Sequence, residues 1–442
     1  MAERPVDWSA EALRLHGQYR GKIQSMPKVP IRGMRDFSLW YTPGVAAPCL
    51  AIKNDPARVL EFTNKGNTVA IVSDGTRVLG LGDIGPEAGL PVMEGKALLF
   101  KYLGGVDAVP LCLASKNAAD IVRTVQLLEP SFGGINLEDI EQPKCFQVLK
   151  SLQDSATIPV WHDDQQGSAT ALLAGLMNAL KVVGKDLARL RIAMIGMGAA
   201  NVATFQLLKA AGADLGAIIA CDTKGTLYPG RADLEAAQTD FADKWQVAQE
   251  SNVERIKGGI ANAMRGADVC IAFTRSGPGI IQPEWVREMA KDSIVFVCAN
   301  PVPEIWPDDV RAAGARIVAT GRGDFPNQVN NSLVFPGLFR GVLDVRARRI
   351  TDEMALAAAH ELAACREEVG LDEHHILPTM DDIDVAARIA AAVGTAAQRR
   401  GVAERRVARD ALLLGARRTI GTAREALAAL MRSGVIPAAC GT

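Results

Sequence analysis

Hydrophobic residues from Arg191 onward fall into five short runs, each ending in turn residues and followed by a helical stretch. The runs are RIAMIGMG, GAIIACDTKG, DVCIAFTRSG, SIVFVCANP and ARIVATGRG. They show no alternation of apolar and polar positions, which is typical of strands that are buried on both faces of a sheet. The pattern predicts a doubly wound α/β domain with helices on both sides of a parallel sheet.

A second region of mixed structure precedes this domain. Strands are predicted in NTVAIVSDG, GVDAVPLCL and GGINLEDI, and helices around residues 117–128 and 143–152. The run SATIPVWHDD is predicted to be the last strand before a long apolar helix, so we place a domain boundary near Ile158. The predicted organisation has three parts: an N-terminal α/β substrate domain (1–158), a Rossmann-type NAD(P)-binding domain (159–395) and a helical C-terminal tail (396–442).

The chain becomes rich in alanine and arginine after Arg340. A helix is predicted to start at a capping Thr351, with acidic residues in its first turn, and to stop at Gly370. The final stretch carries seven arginines: Arg399, Arg400, Arg405, Arg406, Arg409, Arg417 and Arg418. No aromatic residues are interleaved with them, so a solvent-facing or subunit-contacting helical surface is favoured over nucleic-acid binding.

The composition indicates which kind of binding partner and which cellular compartment to expect. The 49 basic and 50 acidic residues nearly cancel, which gives no electrostatic reason to expect nucleic acid or an anionic membrane, so a small molecule is the expected partner. The eight cysteines include no CxxC pair and are expected to be free thiols in a reducing cytosol. Neither a signal peptide nor an apolar stretch of about 20 residues is present, so the expected location is cytoplasmic.

A glycine-containing turn follows the first strand of the Rossmann-type region. The stretch IAMIGMGAANVATFQLL places Gly196 and Gly198 between a strand and a helix, where backbone N–H groups and the helix dipole bind a pyrophosphate. The residues that open the helix are Ala199, Ala200 and Asn201, and Asn201 replaces the third glycine of the usual fingerprint. A turn that binds no ligand is therefore the competing interpretation.

The next strand supports nucleotide binding because it ends in Asp222, which can accept hydrogen bonds from a ribose hydroxyl. We therefore predict NAD or NADP as cofactor, with Asp222 slightly favouring NAD. Thr223 and Lys224 offer an alternative, since they could accommodate the 2′-phosphate of NADP.

Acidic pairs follow two other predicted strands: Glu138 and Asp139 end GGINLEDI, and Asp163 and Asp164 end IPVWHDD. If these strands are parallel, the four carboxylates meet at one edge, and a divalent cation would neutralise them. Oxygen ligands favour Mg²⁺ or Mn²⁺. Capping of the following helix is the alternative, but it explains only one aspartate. His162 is interpreted as a packing or hydrogen-bonding residue.

Two further stretches supply ionisable groups set among glycine and proline. They are LWYTPGVAAPC, with Tyr41, and LPVMEGKALLFKYLGG, with Lys96. From composition alone these residues are described as an anchored aromatic side chain and a surface lysine.

Seven stretches together resemble a known family. YTPGVAAPC, TRVLGLGDIG, PVMEGKALLFKYLGGVD, FGGINLEDI, HDDQQG, ANPVPEI and DFPNQVNNSLVFPGLFRG stand in the order found in the malic enzymes, and the chain up to about Arg349 is similar to the shorter bacterial and archaeal members. The resemblance implies oxidative decarboxylation of (S)-malate to pyruvate and CO₂, with NAD or NADP and Mg²⁺ or Mn²⁺, by a homodimer or higher homo-oligomer.

The resemblance also implies roles for individual residues. Lys96 would be the general base, acting through a pKa lowered by burial and by the cation, and Tyr41 the general acid. The implied metal ligands are Glu138, Asp139 and Asp164, with Asp163 orienting Lys96 or those ligands. The residues implied to contact substrate or nicotinamide are Arg77, on a malate carboxylate, and Asn300 and Asn330, with Asn331 as a weaker candidate.

The sequence departs from the family at Gln166, where bacterial relatives usually have histidine, and at Asn201 in the nucleotide turn. The arginine-rich tail after Gly401 lies outside the resemblance. Alternative functions on the same scaffold are a malolactic-type enzyme with tightly held NAD, an oxaloacetate decarboxylase and a dehydrogenase of a substituted malate. A non-catalytic nucleotide-sensing subunit is a further alternative, although it has little need for Tyr41, Lys96 and four carboxylates together.

Overall fold

Two β-sheets form the centre of the protein in a computed structural model that describes residues 8–439. The first sheet has the strand order β2-β1-β3-β4, and all of its strands are parallel. Its strands are β1 (Thr68–Ser73), β2 (Asp107–Cys112), β3 (Gly134–Leu137) and β4 (Val160–His162). All four strands coincide with predicted runs, and the parallel orientation on which the acidic-edge prediction depends is confirmed.

The second sheet has the order β10-β9-β8-β5-β6-β7, and only its last strand is antiparallel. Its strands are β5 (Ile192–Ile195), β6 (Ile218–Asp222), β7 (Gly225–Thr226), β8 (Val269–Ala272), β9 (Ile294–Val297) and β10 (Ile317–Thr320). The five predicted runs are confirmed as its five parallel strands. The chain reverses its direction of winding at β5, and the crevice of an open α/β sheet lies at such a switch point.

The helices surround both sheets. Their bounds are α1 (Trp8–Tyr19), α2 (Met34–Trp40), α3 (Ala46–Asn54), α4 (Val59–Phe62), α5 (Gly85–Gly104), α6 (Ala118–Leu128), α7 (Lys144–Ser155), α8 (Ser168–Val183), α9 (Ala199–Ala210), α10 (Ala232–Ala236), α11 (Ala242–Glu250), α12 (Ile260–Met264), α13 (Pro283–Arg287), α14 (Pro307–Ala312), α15 (Phe335–Asp344), α16 (Asp352–Glu367), α17 (Val385–Arg400) and α18 (Arg409–Arg432). No described helix combines the length and apolar character that crossing a membrane requires.

The long apolar helix α8 links the two sheets. It is buried along most of its length, and its side chains share one core with Ile71 and Trp161 of the first sheet and Met194 and Ile271 of the second. The helix ends at Gly184, which adopts the left-handed conformation that commonly terminates helices. Because one core contains both sheets, their carboxyl edges are held in a fixed relation.

The C-terminal helices differ in part from the predictions. Thr351 occupies the N-cap of α16, but its side chain makes no capping hydrogen bond, so the predicted cap is wrong. Helix α17 runs through the proposed boundary at 395/396. Helix α18 buries Ala416 and Ile420 against α17, and Arg417 pairs with Asp384. Part of the arginine-rich surface therefore forms ion pairs with acidic residues of the same chain.

The N-terminal segment is the least buried part of the described chain. No residue between Trp8 and Thr68 is buried. Large apolar side chains exposed there include Trp8, Leu13, Met34, Phe37, Leu39, Trp40, Leu50 and Phe62. A monomeric soluble protein rarely leaves such a surface uncovered.

The described cysteines are all free, as expected. Cys440 lies outside the described residues.

Candidate active site

Strands β3 and β4 lie side by side, and each ends immediately before an acidic pair. Leu137 is in register with His162, so both pairs leave the sheet at the same edge. Three carboxylates each offer an oxygen within 4.8 Å of the other two: Glu138, Asp139 and Asp164. The structure therefore brings together the residues that the sequence resemblance implied as metal ligands.

Lys96 projects from α5 into this acidic cluster and is 8% exposed. Its Nζ atom lies 2.9 Å from Oε1 of Glu138 and donates a hydrogen bond to Asp163. It also lies 4.2 Å from the ring centroid of Phe335, a contact that the sequence analysis did not identify. The aromatic ring and the two carboxylates hold the ammonium group on three sides.

The cluster contains more negative charge than Lys96 balances. Burial and, after it, the charge of Asp164 raise the pKa of Asp139 to about 8. The pKa values of Glu138, Asp163 and Asp164 are also raised, in each case chiefly by burial. Oδ2 of Asp139 is buried and has no hydrogen-bond partner among the described residues. These features fit a site that takes a hard divalent cation.

Among the protein groups alone, the pKa of Lys96 is raised. Burial lowers it, but the charges of Asp163, Glu138 and Asp164 outweigh burial, and the net pKa lies well above the usual range. The lowered pKa that the resemblance implies depends also on a bound cation, so it stays a prediction. For Lys96 to act as a base, a cation bound by these carboxylates must offset their negative charge.

The two adjacent aspartates have different partners. Asp163 accepts a hydrogen bond from Nε1 of Trp161 at 2.9 Å as well as from Lys96, whereas Oδ2 of Asp164 accepts the backbone N–H of Asp139 at 2.8 Å. Both lie in a π-helical turn, Asp163–Gly167, and α8 starts after it without a side-chain cap. The capping alternative is therefore wrong for both residues.

The rest of the HDDQQG stretch shapes this turn. A Cβ atom on Gly167 would lie 1.9 Å from Oδ1 of Asp163, so only glycine fits there. Oε1 of Gln166 accepts the backbone N–H of His162 at 3.1 Å, which shows how the chain uses glutamine at this position. His162 is fully buried, burial lowers its pKa to about 3, and neither ring nitrogen has a hydrogen-bond partner in the described structure. It is a neutral packing residue.

Arg77 lies beside the cluster on the loop between β1 and α5. Its backbone N–H donates to the carbonyl of Asp139 at 3.0 Å, and its charge lowers the pKa values of Asp139 and Asp164. The guanidinium group is paired with no described residue, so it is available to bind an anion. Lys144 and Asp74, which sequence reasoning missed, form an ion pair beneath this loop.

Tyr41 is not brought to the cluster within the chain. It follows α2, is 72% exposed, and its hydroxyl has no hydrogen-bond partner among the described residues. Tyr41 and Lys96 therefore belong to separate parts of the described molecule.

The predicted nucleotide turn lies at the carboxyl end of β5. Gly196 has a φ of 84°, and a Cβ atom there would lie 2.4 Å from the carbonyl oxygen of Phe273, so glycine is required. Gly198 forms the N-cap of α9, which begins with Ala199 and Ala200. Nδ2 of Asn201 donates to the carbonyls of Ile195 at 3.0 Å and Gly196 at 2.6 Å. The Asn201 side chain thus binds the backbone of the turn from the position where the usual fingerprint has its third glycine.

Asp222, at the end of β6, is already engaged by the protein. Arg231 contacts its two carboxylate oxygens at 2.9 and 2.8 Å, and the backbone N–H of Lys224 donates to Oδ1 at 2.9 Å. Burial raises the pKa of Asp222, but the hydrogen bonds from Arg231 and from the Lys224 backbone, together with the charges of Arg231 and Lys244, outweigh it and the net pKa is lowered. Arg231 was missed, and the stretch YPGRAD gives no local sign of this pairing.

Loops of the two sheets come into contact near the residues that were predicted to bind substrate or nicotinamide. Asn300 follows β9 and is exposed, and a Cβ atom on Gly80, in the Arg77 loop, would lie 2.4 Å from its carbonyl oxygen. Oδ1 of Asn330 accepts the N–H of Ser332 at 2.9 Å, and Asn331 lies against Gly167. The Arg77 loop of the first sheet thus lies directly against the loop that follows β9 of the second.

Models of two protein families match the chain. The malic enzyme N-terminal domain matches residues 20–122, and the malic enzyme NAD-binding domain matches residues 165–398.

Several proteins that are similar to this chain in sequence are malic enzymes. The bifunctional malic/malolactic enzyme of Bacillus subtilis is 49% identical over 89% of this chain and 94% of its own length. The NAD-dependent malic enzyme of Geobacillus stearothermophilus is 48% identical over 87% and 78%, and the NADP-dependent malic enzyme of Halomonas elongata is 41% identical over 87% and 92%.

A solved structure extends the similarity to the fold. The crystal structure of Entamoeba histolytica malic enzyme matches with a TM-score of 0.95 and 46% identity, and the match covers 97% of this chain and 90% of that one. The chain therefore belongs to the malic enzyme family.

Proposed function

We propose that this protein catalyses the oxidative decarboxylation of (S)-malate to pyruvate and CO₂ with reduction of NAD⁺ or NADP⁺, and that it requires Mg²⁺ or Mn²⁺. The observation that carries the proposal is the buried Lys96 among four carboxylates, on the side of the first sheet whose Arg77 loop lies against the loop after β9. Buried ionisable groups with shifted pKa values that converge in a crevice are typical of catalytic sites.

Glu138, Asp139 and Asp164 would hold the cation, and the unpartnered oxygen of Asp139 fits that role. A bound cation would polarise the oxygen atoms of malate and stabilise negative charge on the substrate, while the nicotinamide would accept a hydride. The ligands are all carboxylate oxygens, which Mg²⁺ and Mn²⁺ prefer.

The chain's own residues would move the protons. Lys96, as the neutral amine, would take the proton of the malate C2 hydroxyl, and Asp163 would keep its amino group oriented by accepting a hydrogen bond from it. Tyr41 would return a proton to C3 as pyruvate forms. Arg77, whose guanidinium is unpaired in the described structure, would bind a malate carboxylate, and Asn300 and Asn330 would orient the substrate against the nicotinamide.

A spectrophotometric assay tests this function. We expect malate and Mn²⁺ to give NAD(P)H absorbance and pyruvate in equal amounts, and EDTA to abolish both. Absence of NAD(P)H production with either nucleotide would contradict the proposal.

We further propose that NAD⁺ is the preferred cofactor, because Asp222 stays ionised and would bind a ribose hydroxyl while repelling a 2′-phosphate. Asp222→Ser should lower the ratio of kcat/KM for NAD⁺ to that for NADP⁺, since it removes the carboxylate that would repel a 2′-phosphate and leaves Asp233 as the remaining acidic partner of Arg231. Asp308→Asn, at an exposed site, is the control. A wild-type enzyme that favours NADP⁺ would overturn the preference.

The N-terminal segment supports a homodimer in which each site is shared. Its residues carry exposed apolar side chains and none is buried, and Tyr41 within it has no partner for its hydroxyl. We propose that a second copy covers this surface and that Tyr41 of one copy meets Lys96 of the other.

Complementation between two inactive variants tests this arrangement. If sites are shared, a mixed dimer of Lys96→Ala and Tyr41→Phe chains contains one site with both native residues. Co-expressed chains should then recover about a quarter of wild-type pyruvate formation, as random pairing predicts. No recovery in an isolated mixed dimer would place both residues in one chain.

A second candidate function is malolactic, because the Bacillus subtilis relative carries that activity in its name. Lactate formed from malate without net NADH production would favour it over the malic enzyme reaction.

A further inference from the structure

Glu304 is a fully buried acidic residue in the nucleotide-binding half of the molecule, and the reaction described above does not use it. It lies in the loop that follows β9, close to the carboxyl edge of the second sheet. No lysine, arginine or histidine of the described residues forms an ion pair with it. Burial raises its pKa to about 7, although hydrogen bonds to the carboxylate oppose the rise. An unpaired buried acid is costly, so its presence requires a compensating role.

The carboxylate connects the loops that follow two neighbouring strands. Oε1 accepts the backbone N–H of Thr274 at 2.9 Å and its hydroxyl at 3.1 Å, after β8. Oε2 accepts the backbone N–H of Ala299 at 3.1 Å, after β9. Ser276 adds a second link, since its hydroxyl accepts the N–H of Val302 at 3.0 Å. Backbone hydrogen bonds from Gly277 to Val302 and from Ile280 to Glu304 also join the two loops. The Glu304 carboxylate links them at their base, next to the ends of β8 and β9.

The joined loops face the substrate half of the protein. Ala299 immediately precedes Asn300, whose carbonyl oxygen lies against Gly80 in the loop that carries Arg77. A Cβ atom on Gly80 would also lie 2.9 Å from Cβ of Ser276. Ligands of doubly wound sheets bind beyond the carboxyl ends of the strands, which is where these loops stand.

We propose that Glu304 is a positioning residue that sets the separation of the loops after β8 and β9 and so aligns the nicotinamide and Asn300 with the substrate. This inference rests on the proposed function. Glu304 touches neither substrate nor metal in this role, and it acts through the backbone N–H groups of Thr274 and Ala299. Its removal should affect hydride transfer and nucleotide binding, and leave the chemistry at the acidic cluster unchanged.

Glu304→Gln tests the inference because it keeps the volume of the side chain but replaces one acceptor oxygen with a donor. We expect kcat/KM for NAD⁺ in malate oxidation to fall about tenfold to a hundredfold, as for the loss of one hydrogen bond to a charged group. Metal-dependent oxaloacetate decarboxylation without nucleotide, and the half-saturating Mn²⁺ concentration, should stay within about twofold of wild type.

Matched variants separate positioning from general stability. Thr274→Val removes only the hydroxyl contact and should weaken NAD⁺ use less than Glu304→Gln does, while Thr274→Ser keeps the hydroxyl and should restore wild-type behaviour. Glu288→Gln, at an exposed glutamate, should change nothing. The inference is overturned if Glu304→Gln lowers both reactions equally, or if it leaves KM and kcat for malate oxidation unchanged.

A direct binding measurement keeps this inference separate from the proposed function. If the wild-type protein does not oxidise malate, the proposed function fails. Titration of wild type and Glu304→Gln with NADH, followed by fluorescence, then decides the role of Glu304: weaker NADH binding by the variant supports it, and equal binding overturns it.

Discussion

The carboxylates that follow β3 and β4 and the carboxylate that ends β6 occupy corresponding places in their sheets, but their charges are balanced differently. Around Lys96, four carboxylates face one ammonium group, and burial together with the charge of Asp164 raises the pKa of Asp139 to about 8. At Asp222, one arginine takes both oxygens and the pKa of the carboxyl is lowered. An unbalanced buried charge marks where a cation is needed, whereas a balanced carboxylate stays ionised and is held in place by the protein.

The sharpest test of this contrast is Lys96→Ala, which removes the only positive charge placed within the acidic cluster by the described residues. We expect kcat for malate oxidation to fall about a thousandfold, as for the loss of a general base. The measurement is steady-state NAD(P)H production at saturating Mn²⁺. Lys101→Ala, at an exposed lysine on the same helix, is the control. Turnover near the wild-type value in Lys96→Ala would contradict the catalytic assignment.

Substitutions of the two adjacent aspartates, Asp163 and Asp164, should have different effects on the Mn²⁺ dependence of the enzyme. Asp164→Asn should raise the half-saturating Mn²⁺ concentration more than about a hundredfold, because it removes a proposed ligand. Asp163→Asn should mainly lower kcat, by about tenfold to a hundredfold, because it loosens Lys96. Activity and calorimetric titrations with Mn²⁺ measure both effects. If the two variants depend equally on metal, the division between them is wrong.

Substitutions at the Arg231–Asp222 pair should change the stability of the folded protein. Arg231→Leu removes the bidentate partner of Asp222 and leaves it only Lys244, 3.6 Å away, so the free energy of unfolding should fall by about 3 kcal/mol. The double variant Arg231→Leu/Asp222→Leu should recover part of this loss, since the Asp222 carboxylate is gone, whereas Asp233 has lost Arg231 in both variants. Thermal and denaturant unfolding curves provide the comparison. A double variant as unstable as the single one would show that the pair's charge is not what matters.

The smallest expected effect is the pH dependence of the same pair. The pKa of Asp222 is lower in the folded protein than the ordinary value, so its pairing stabilises the fold above about pH 4 and is lost as the pH falls further. Between neutral and acid pH, wild type should therefore lose more stability than Asp222→Asn. Unfolding midpoints across this range measure the difference. Equal losses in the two proteins would mean that Asp222 titrates normally.

The sequence predicted the strands well because apolar runs between turn residues are a local signal. It also predicted that two acidic pairs share an edge, since that follows from parallel pairing of β3 and β4. Contacts between distant residues were not accessible in the same way. Lys96 and Asp163 are 67 positions apart, and neither their pairing nor the packing of Phe335 on Lys96 leaves a local pattern.

The features that the sequence missed have the same origin. The pKa of Lys96 among the protein groups depends on how many carboxylates surround it, which only the fold determines. Thr351 occupies the N-cap position, yet its side chain makes no capping hydrogen bond. The resemblance supplied what local patterns could not, namely the separate roles of Asp163 and Asp164, and these roles stay predictions.

The π-helical turn at Asp163–Gly167 makes the order of the residues as important as their identity. A π-turn spans one residue more than an α-helical turn, so it behaves as a single-residue insertion retained at the entrance of α8. Deleting Gln165 would preserve every acidic side chain, yet it would shift the register of the doublet against Lys96 and Asp139. Enzyme design on this scaffold would therefore have to conserve the length of the turn as strictly as its carboxylates.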